Sequence, residues 1–190
     1  MGGKIIYLGA YKAQHYDHNI IYQDINGERD LGGDMLEIDL SPYDIIIATP
    51  PCNYYSKLNR FRDSSEYAQN TKHLLPEIIE KLHKNGKPYI VENVRSHIIN
   101  SLIKSQKNYN GFIIQHGRHT YWTNIPFNPK GIKQKIDFKY IDKNKPQNHI
   151  INRTSKNGQG GDNVHDVIEY WLKNVKIEQG LISREAEGEI

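Results

Sequence analysis

Residues 44–52 read DIIIATPPC, and this stretch decides the fold. Ile45 to Ala48 are apolar without alternation, which suits a strand covered on both faces, as in a parallel sheet. Thr49-Pro50-Pro51 closes the run, because proline has no N–H with which to continue a ladder. Residues 87–92, KPYIVE, repeat the form. Between the two, Tyr67, Thr71, Leu74, Leu75, Ile78, Ile79 and Leu82 recur three and four apart, and Asn85-Gly86 supplies a stop, so the spacing predicts helix. Strand, helix, strand is the crossover unit of an α/β protein. Pro76 falls inside the helical pattern, where an interior proline costs about 3 kcal/mol. The expectation is therefore a kink there, or a first-turn position in a second helix.

Working outward, Lys4 to Gly9 (KIIYLG) and Asn19 to Asp24 (NIIYQD) read as short strands, the second ending on an acid. Gly111 to Gln115 and Arg118 to Thr123 read as two later strands. Val164, Val167, Ile168, Trp171, Leu172 and Val175 mark one face of a closing helix, capped by Asp162 or Asn163 after Gly160-Gly161. The expected architecture is α/β, a mostly parallel sheet with flanking helices and with ligands bound beyond the carboxyl ends of the strands. No internal repeat interrupts it. A single domain over 1–177 is expected, with 178–190 as a tail where the periodicity stops.

The 190 residues include 15 Gly, 8 Pro and a single Cys. Apolar runs are a few residues long, far short of the roughly 18 needed to cross a bilayer, so no membrane partner is expected. The start, Met-Gly-Gly-Lys, leads straight into a strand-like run without the apolar region of a secretory signal. One Cys excludes an intrachain disulfide, and a reducing cytoplasm is the expected compartment. The overall charge of +3 hides an asymmetry. Residues 1–50 hold eight acids against three bases, whereas residues 101–150 hold nine bases against two acids, a density suited to phosphates.

Three places carry chemistry. Cys52 lies just past the carboxyl end of a buried strand, at the opening of a Pro-stiffened loop; near a helix N-terminus such a thiol would have a lowered pKa and act as a nucleophile. Glu92, in Val91-Glu92-Asn93-Val94, ends the next strand and so belongs on the same rim. A carboxylic acid beside a thiolate makes sense where a ring is protonated while sulfur attacks it. Gln115-His116-Gly117-Arg118 adds a polar cluster with one Arg suited to clamp a carbonyl or phosphate. Two histidine pairs spaced by three, His15 with His18 and His116 with His119, lack a third ligand nearby, so no metal site is expected.

The ordered set, PPC followed by an aromatic and Ser56, then ENV some forty residues on, then a Gln/Arg strand, resembles the DNA cytosine-5 methyltransferases. It is most similar to compact phage-type members and spans about Ile20 to Leu172. The resemblance implies a Rossmann-like class I methyltransferase fold, found in the cytoplasm of a bacterial or phage-infected cell. It implies that Cys52 attacks C6 of a cytosine flipped out of DNA, that Glu92 protonates or hydrogen-bonds N3 and that Arg118 helps to hold the base. Ser56, Asn93 and Gln115 would contact the substrate. For the cofactor, S-adenosylmethionine, it assigns Asp24 to the ribose hydroxyls, Ile25 to one face of the adenine and Asp34 to its edge. Gly9, Pro50 and Asn163 would complete that pocket.

Two features depart from the family pattern. Tyr7-Leu8-Gly9-Ala10-Tyr11 holds one glycine where the family has an aromatic-x-Gly-x-Gly loop, and Gly9 to Asn19 is too short for that loop plus three helical turns. The pocket is then shortened but functional, completed by a partner chain or second copy, or lost. Only about 35 residues separate Asn124 from Gly160, which leaves no separate large target-recognition domain. Two other functions remain open beside the methyltransferase. One is a degenerate methyltransferase fold that binds nucleic acid or serves as a partner subunit without turnover. The other is a Cys-dependent enzyme that modifies pyrimidines in nucleotides or RNA.

Overall fold

The computed structural model describes residues 3–10, 19–57, 59–129 and 164–180. Among the described residues six strands and four helices follow one another as β1 (Ile5–Leu8), β2 (Ile20–Tyr22), β3 (Ile45–Ala48), α1 (Glu66–Thr71), α2 (Leu74–Asn85), β4 (Tyr89–Val94), α3 (His97–Ser105), β5 (Phe112–His116), β6 (His119–Thr123) and α4 (Val164–Glu178). The strands form one sheet in the order β2-β1-β3-β4-β6-β5. β2, β1, β3 and β4 are mutually parallel, and β6 runs antiparallel to both β4 and β5. The chain steps from β1 outward to β2 and then crosses back to the other side of β1 for β3. That reversal is a topological switch point, and open α/β sheets bind ligands beyond the carboxyl ends of the strands at such a point, here β1 and β3.

Both faces of the sheet are covered, which is why its strands are apolar without alternation. Ile5, Tyr7, Ile45, Ile47, Ile90 and Tyr121 point to one face and pack with Val167, Ile168, Trp171, Leu172 and Val175 of α4. Trp171 Nε1 donates to Thr123 Oγ1 at 3.0 Å, so the largest side chain of that layer buries its polar atom satisfied. Ile6, Leu8, Ile46, Ala48, Tyr89, Val91 and Trp122 point the other way, under Leu75, Ile78, Ile79 and Leu82 of α2 and Ile99 of α3. Lys87 Nζ donates to the carbonyls of Leu40, Ser41 and Tyr43 at 2.8, 2.8 and 2.5 Å, tying the segment before β3 to the start of β4.

Local chemistry sets the helix ends. Ser65 and Ser96 cap α1 and α3 by accepting from the backbone N–H of Ala68 and Ile99. Gly86, with φ of 76°, ends α2 in the left-handed conformation and donates back to Leu82 O. The helix expected over 67–82 is two helices, broken between Thr71 and Leu74, and Pro76 sits in the first turn of α2, where its missing N–H costs nothing. α3 is absent from the sequence expectation. The two later strands form a hairpin whose two-residue turn is Gly117-Arg118, with glycine at the first central position at φ of 57°. Among the described residues no helix is long and apolar enough to cross a membrane. The caps proposed at Asp162 and Asn163, His15 and His18, and the tail from 181 lie outside the described residues.

Candidate active site

Because β1 to β4 are parallel, the residues that follow each strand share one rim. Gly9 follows β1, Asp24 follows β2 by two residues and Pro50-Pro51-Cys52 follows β3, while Glu92 and Asn93 lie near the end of β4. β6 runs the other way, so the β5–β6 turn with His116, Arg118 and His119 closes the same rim. The crossover topology thus places together residues that stand up to about a hundred positions apart in the chain.

Cys52 opens a turn. Its carbonyl accepts from the N–H groups of Tyr55 and Ser56 at 3.0 and 2.8 Å. Tyr55 is buried, its hydroxyl donates to Lys72 O, and burial pushes its phenol up to about 12. Arg62 Nη2 donates to Ser56 O at 3.1 Å and Asn59 Nδ2 to Asn53 O at 2.9 Å, so the loop after the cysteine is braced from within. As a residue Cys52 is open to solvent, yet protein surrounds its sulfur closely enough that burial is the first cause of a raised thiol pKa. The negative charge of Glu92 is the second cause. The lowered pKa expected from the loop is corrected by both effects. No helix begins at Cys52 either, for α1 starts only at Glu66.

Glu92 faces the α4 side of the sheet together with Ile90. Its Oε1 lies 2.5 Å from Nδ1 of His119, and both side chains are 12% exposed. The pairing follows from the register: Glu92 stands opposite Tyr121 and Val94 opposite His119, so the two meet diagonally across β4 and β6. Asn93 points to the other face and is 1% exposed. Its Nδ2 donates to Pro50 O at 3.0 Å and its Oδ1 accepts from Val94 N at 2.9 Å. Asn93, expected to touch substrate, is here a brace between the end of β4 and the Pro-Pro turn that carries Cys52.

Gln115 lies on the outermost strand, exposed, with its Nε2 bonded to Asn100 Oδ1 of α3 at 3.0 Å. Arg118 is exposed at the hairpin turn, and its carbonyl accepts from Arg95 N at 2.6 Å, which sets the two arginines side by side. With Lys57 and Arg60 in the turns after Cys52, exposed cations flank the thiol end of the rim. The opposite end, around Asp24, Glu28, Asp30 and Asp34, is acidic.

At that acidic end Asp24 is 2% exposed. Its Oδ1 accepts from Asn26 N at 2.6 Å, while its buried Oδ2 has no hydrogen-bond partner. An orphaned buried carboxylate oxygen is costly and calls for a partner. Ile25 beside it is 67% exposed, an apolar side chain open to solvent. These are the two residues that the family resemblance assigns to the ribose and the adenine of the cofactor. Asp34 is exposed and caps the turn at 34–37 through Leu36 N. Gly9, at φ of 70°, has a local reason to be glycine: a Cβ there would stand 2.6 Å from Thr49 O. Gln23 escaped the sequence reading. It is buried, accepts from Gly9 N and donates to Gly33 O, holding three segments of this end together. A polar residue in the last position before the acid of β2 is the signal that would have found it. Pro50 is buried in the turn and lends its carbonyl to Asn93, and Asn163 lies outside the described residues.

Among the described residues no group of three or more His, Cys, Asp or Glu stands where it could hold a metal ion. His116 and His119 face one another across the hairpin instead of sharing a helix. No protein-family model matches this chain, and no curated protein matches it.

Proposed function

We propose that the protein is a compact, Rossmann-like class I methyltransferase that acts on C5 of cytosine in DNA through a covalent adduct with Cys52. The observation that carries this reading is the topology, which sets the Cys52 thiol just past the end of β3 and the Glu92 carboxyl near the end of its neighbour β4, on one rim of the sheet. A thiol that can become a nucleophile and a carboxyl group that can pass a proton stand on neighbouring strands of one rim. That is the pairing that addition to a pyrimidine needs.

The Cys52 thiolate adds to C6 of cytosine, forming the S–C6 bond, and the electron pair of the C5–C6 double bond moves toward C5 and the ring. Glu92, holding the proton that the thiol lost, gives it to N3, so the ring does not accumulate charge. C5 is then nucleophilic, which it is not in the free base. Bound S-adenosylmethionine would supply the methyl group that C5 takes up. Loss of the C5 proton to water, return of the N3 proton and breakage of the S–C6 bond restore the aromatic base and the enzyme. Asp24 and Ile25 support the cofactor assignment, and exposed Lys57, Arg60, Arg95 and Arg118 beside the thiol suit the phosphates of a strand whose base has left the stack.

The test is a DNA duplex carrying 5-fluorocytosine, incubated with the protein and S-adenosylmethionine. Fluorine leaves no C5 proton to lose, so the adduct stays and its mass is read after denaturation. The expected result is an adduct with the native protein and none with Cys52→Ala. An adduct formed with fluoropyrimidine RNA or nucleotide but not with DNA moves the assignment to another pyrimidine substrate. No adduct with any of them overturns covalent catalysis.

A further inference from the structure

Glu92 is set for its work by a residue that the sequence did not single out for it. His119 Nδ1 sits 2.5 Å from Glu92 Oε1, and the two side chains are equally shielded at the rim. Neither is on a loop: β4 and β6 hold both backbones through five registered residue pairs. The contact engages Oε1 of the carboxylate. We propose that His119 is the positioning residue of Glu92 and makes proton delivery to cytosine N3 depend on pH. With the ring neutral and Nδ1 protonated, its N–H holds Oε1 and leaves Oε2 to carry the proton. With the ring charged, the imidazolium holds Glu92 as a carboxylate and N3 receives no proton.

The inference rests on the cytosine reading of the Cys52 site. Other titratable and charged groups surround the pair. Cys52 lies on the β3 side, Arg118 and His116 belong to the hairpin, and His165, Asp166 and Glu169 stand on the first turns of α4, which covers this face of the sheet. The substitution test therefore changes His119 alone.

The reaction to follow is loss of tritium from C5 of [5-³H]cytosine in a DNA duplex, without S-adenosylmethionine. Addition of the thiolate to C6 and of a proton to N3 makes C5 exchange with solvent protons before the thiol leaves again, so the readout needs no methyl donor. In the native protein exchange is expected to fall about tenfold per pH unit below the titration of the imidazole. His119→Gln keeps an N–H for Oε1 but takes no charge. It is expected to hold the native rate at pH 8 within about threefold and to lose that acid limb. His119→Ala removes the tether and is expected to slow exchange by about a hundredfold at all pH.

Superimposable pH profiles for the native protein and His119→Gln would overturn the role of His119 and leave the cytosine assignment standing. Absence of exchange and of fluorocytosine adduct in the native protein would instead overturn the assignment itself. Should His119→Gln not fold, the ring nitrogens of His119 are followed by NMR in the native protein. Their titration is expected to coincide with the acid limb, and a displacement of more than about one pH unit would refute the proposal.

Discussion

Replacing Asn93 by aspartate changes one buried atom from donor to acceptor. Asn93 is 1% exposed, its Nδ2 donates to Pro50 O at 3.0 Å, and its Oδ1 accepts from Val94 N at 2.9 Å. In Asn93→Asp the second contact survives, and the first becomes a carboxylate oxygen against a carbonyl oxygen. An unsatisfied buried carbonyl costs about 1–3 kcal/mol, and an unpaired buried charge adds to it, so a loss of about 3 kcal/mol at pH 7 is expected. In a domain of this size that is a fall in Tm of about 6–12 °C. The sign with pH follows from the environment. Burial and the facing carbonyl raise the folded-state pKa of the new carboxyl above its unfolded value of about 3.9. Well below that value the group is neutral in both states and its O–H can donate to Pro50 O, so the deficit is small. It grows as pH rises from there through the folded-state value. Urea unfolding of both proteins at pH 4 and pH 8 measures this, with Asn93→Ala as a variant whose deficit does not change with pH. A deficit below about 1 kcal/mol at pH 8, or one equal at the two pH values, would refute the role of Asn93 as a buried brace.

Glu92→Gln removes the second cause of the raised Cys52 pKa while leaving burial, the first. Alkylation of Cys52 by iodoacetamide should therefore move its midpoint to lower pH and yet stay slower at pH 8 than for a free thiol; an unmoved midpoint would show that the carboxylate does not act on the sulfur. Asp24→Asn keeps Oδ1 for Asn26 N and removes a buried charge with an orphaned oxygen. It should leave stability unchanged or raise it by up to about 1 kcal/mol while lowering S-adenosylmethionine affinity at least about tenfold by calorimetry, and equal affinity would remove Asp24 from the pocket. Gly9→Ala demands a left-handed alanine with its Cβ 2.6 Å from Thr49 O, so a loss of more than about 1–2 kcal/mol is expected in thermal unfolding. Lys87→Met keeps the stem of the side chain and strands three carbonyls, partly open to water; it should cost about 1–2 kcal/mol and loosen the 40–43 segment in hydrogen exchange.

Much of the sheet was legible because the signals are local. Ile45 to Ala48 and Tyr89 to Val91 are apolar on both faces, and both faces are covered. The Gly86 stop and the place of Pro76 also follow from chemistry carried by those residues alone. α3 was equally local and still missed: Ser96 caps it, and Ile98, Ile99, Leu102 and Ile103 form its apolar stripe against the core. Its nine residues follow β4 after only Arg95 and Ser96, so its short apolar period runs on from the apolar strand with no Gly or Pro to separate them.

The site divides differently. The amino-acid sequence alone determined that a thiol follows one buried strand and a carboxyl lies toward the end of the next, that an acid comes shortly after β2 and that proline stiffens the cysteine turn, since each depends on a few adjacent residues. Tertiary structure decided what those groups are to one another. Spacing could not have paired Glu92 with His119, because the contact exists only once β4 and β6 align. Nor could it have turned Asn93 toward Pro50 or left Asp24 with an oxygen unsatisfied. The sign of the Cys52 shift belongs to this second class: it comes from burial by distant segments and from a charge forty positions away, and both act through space, not along the chain.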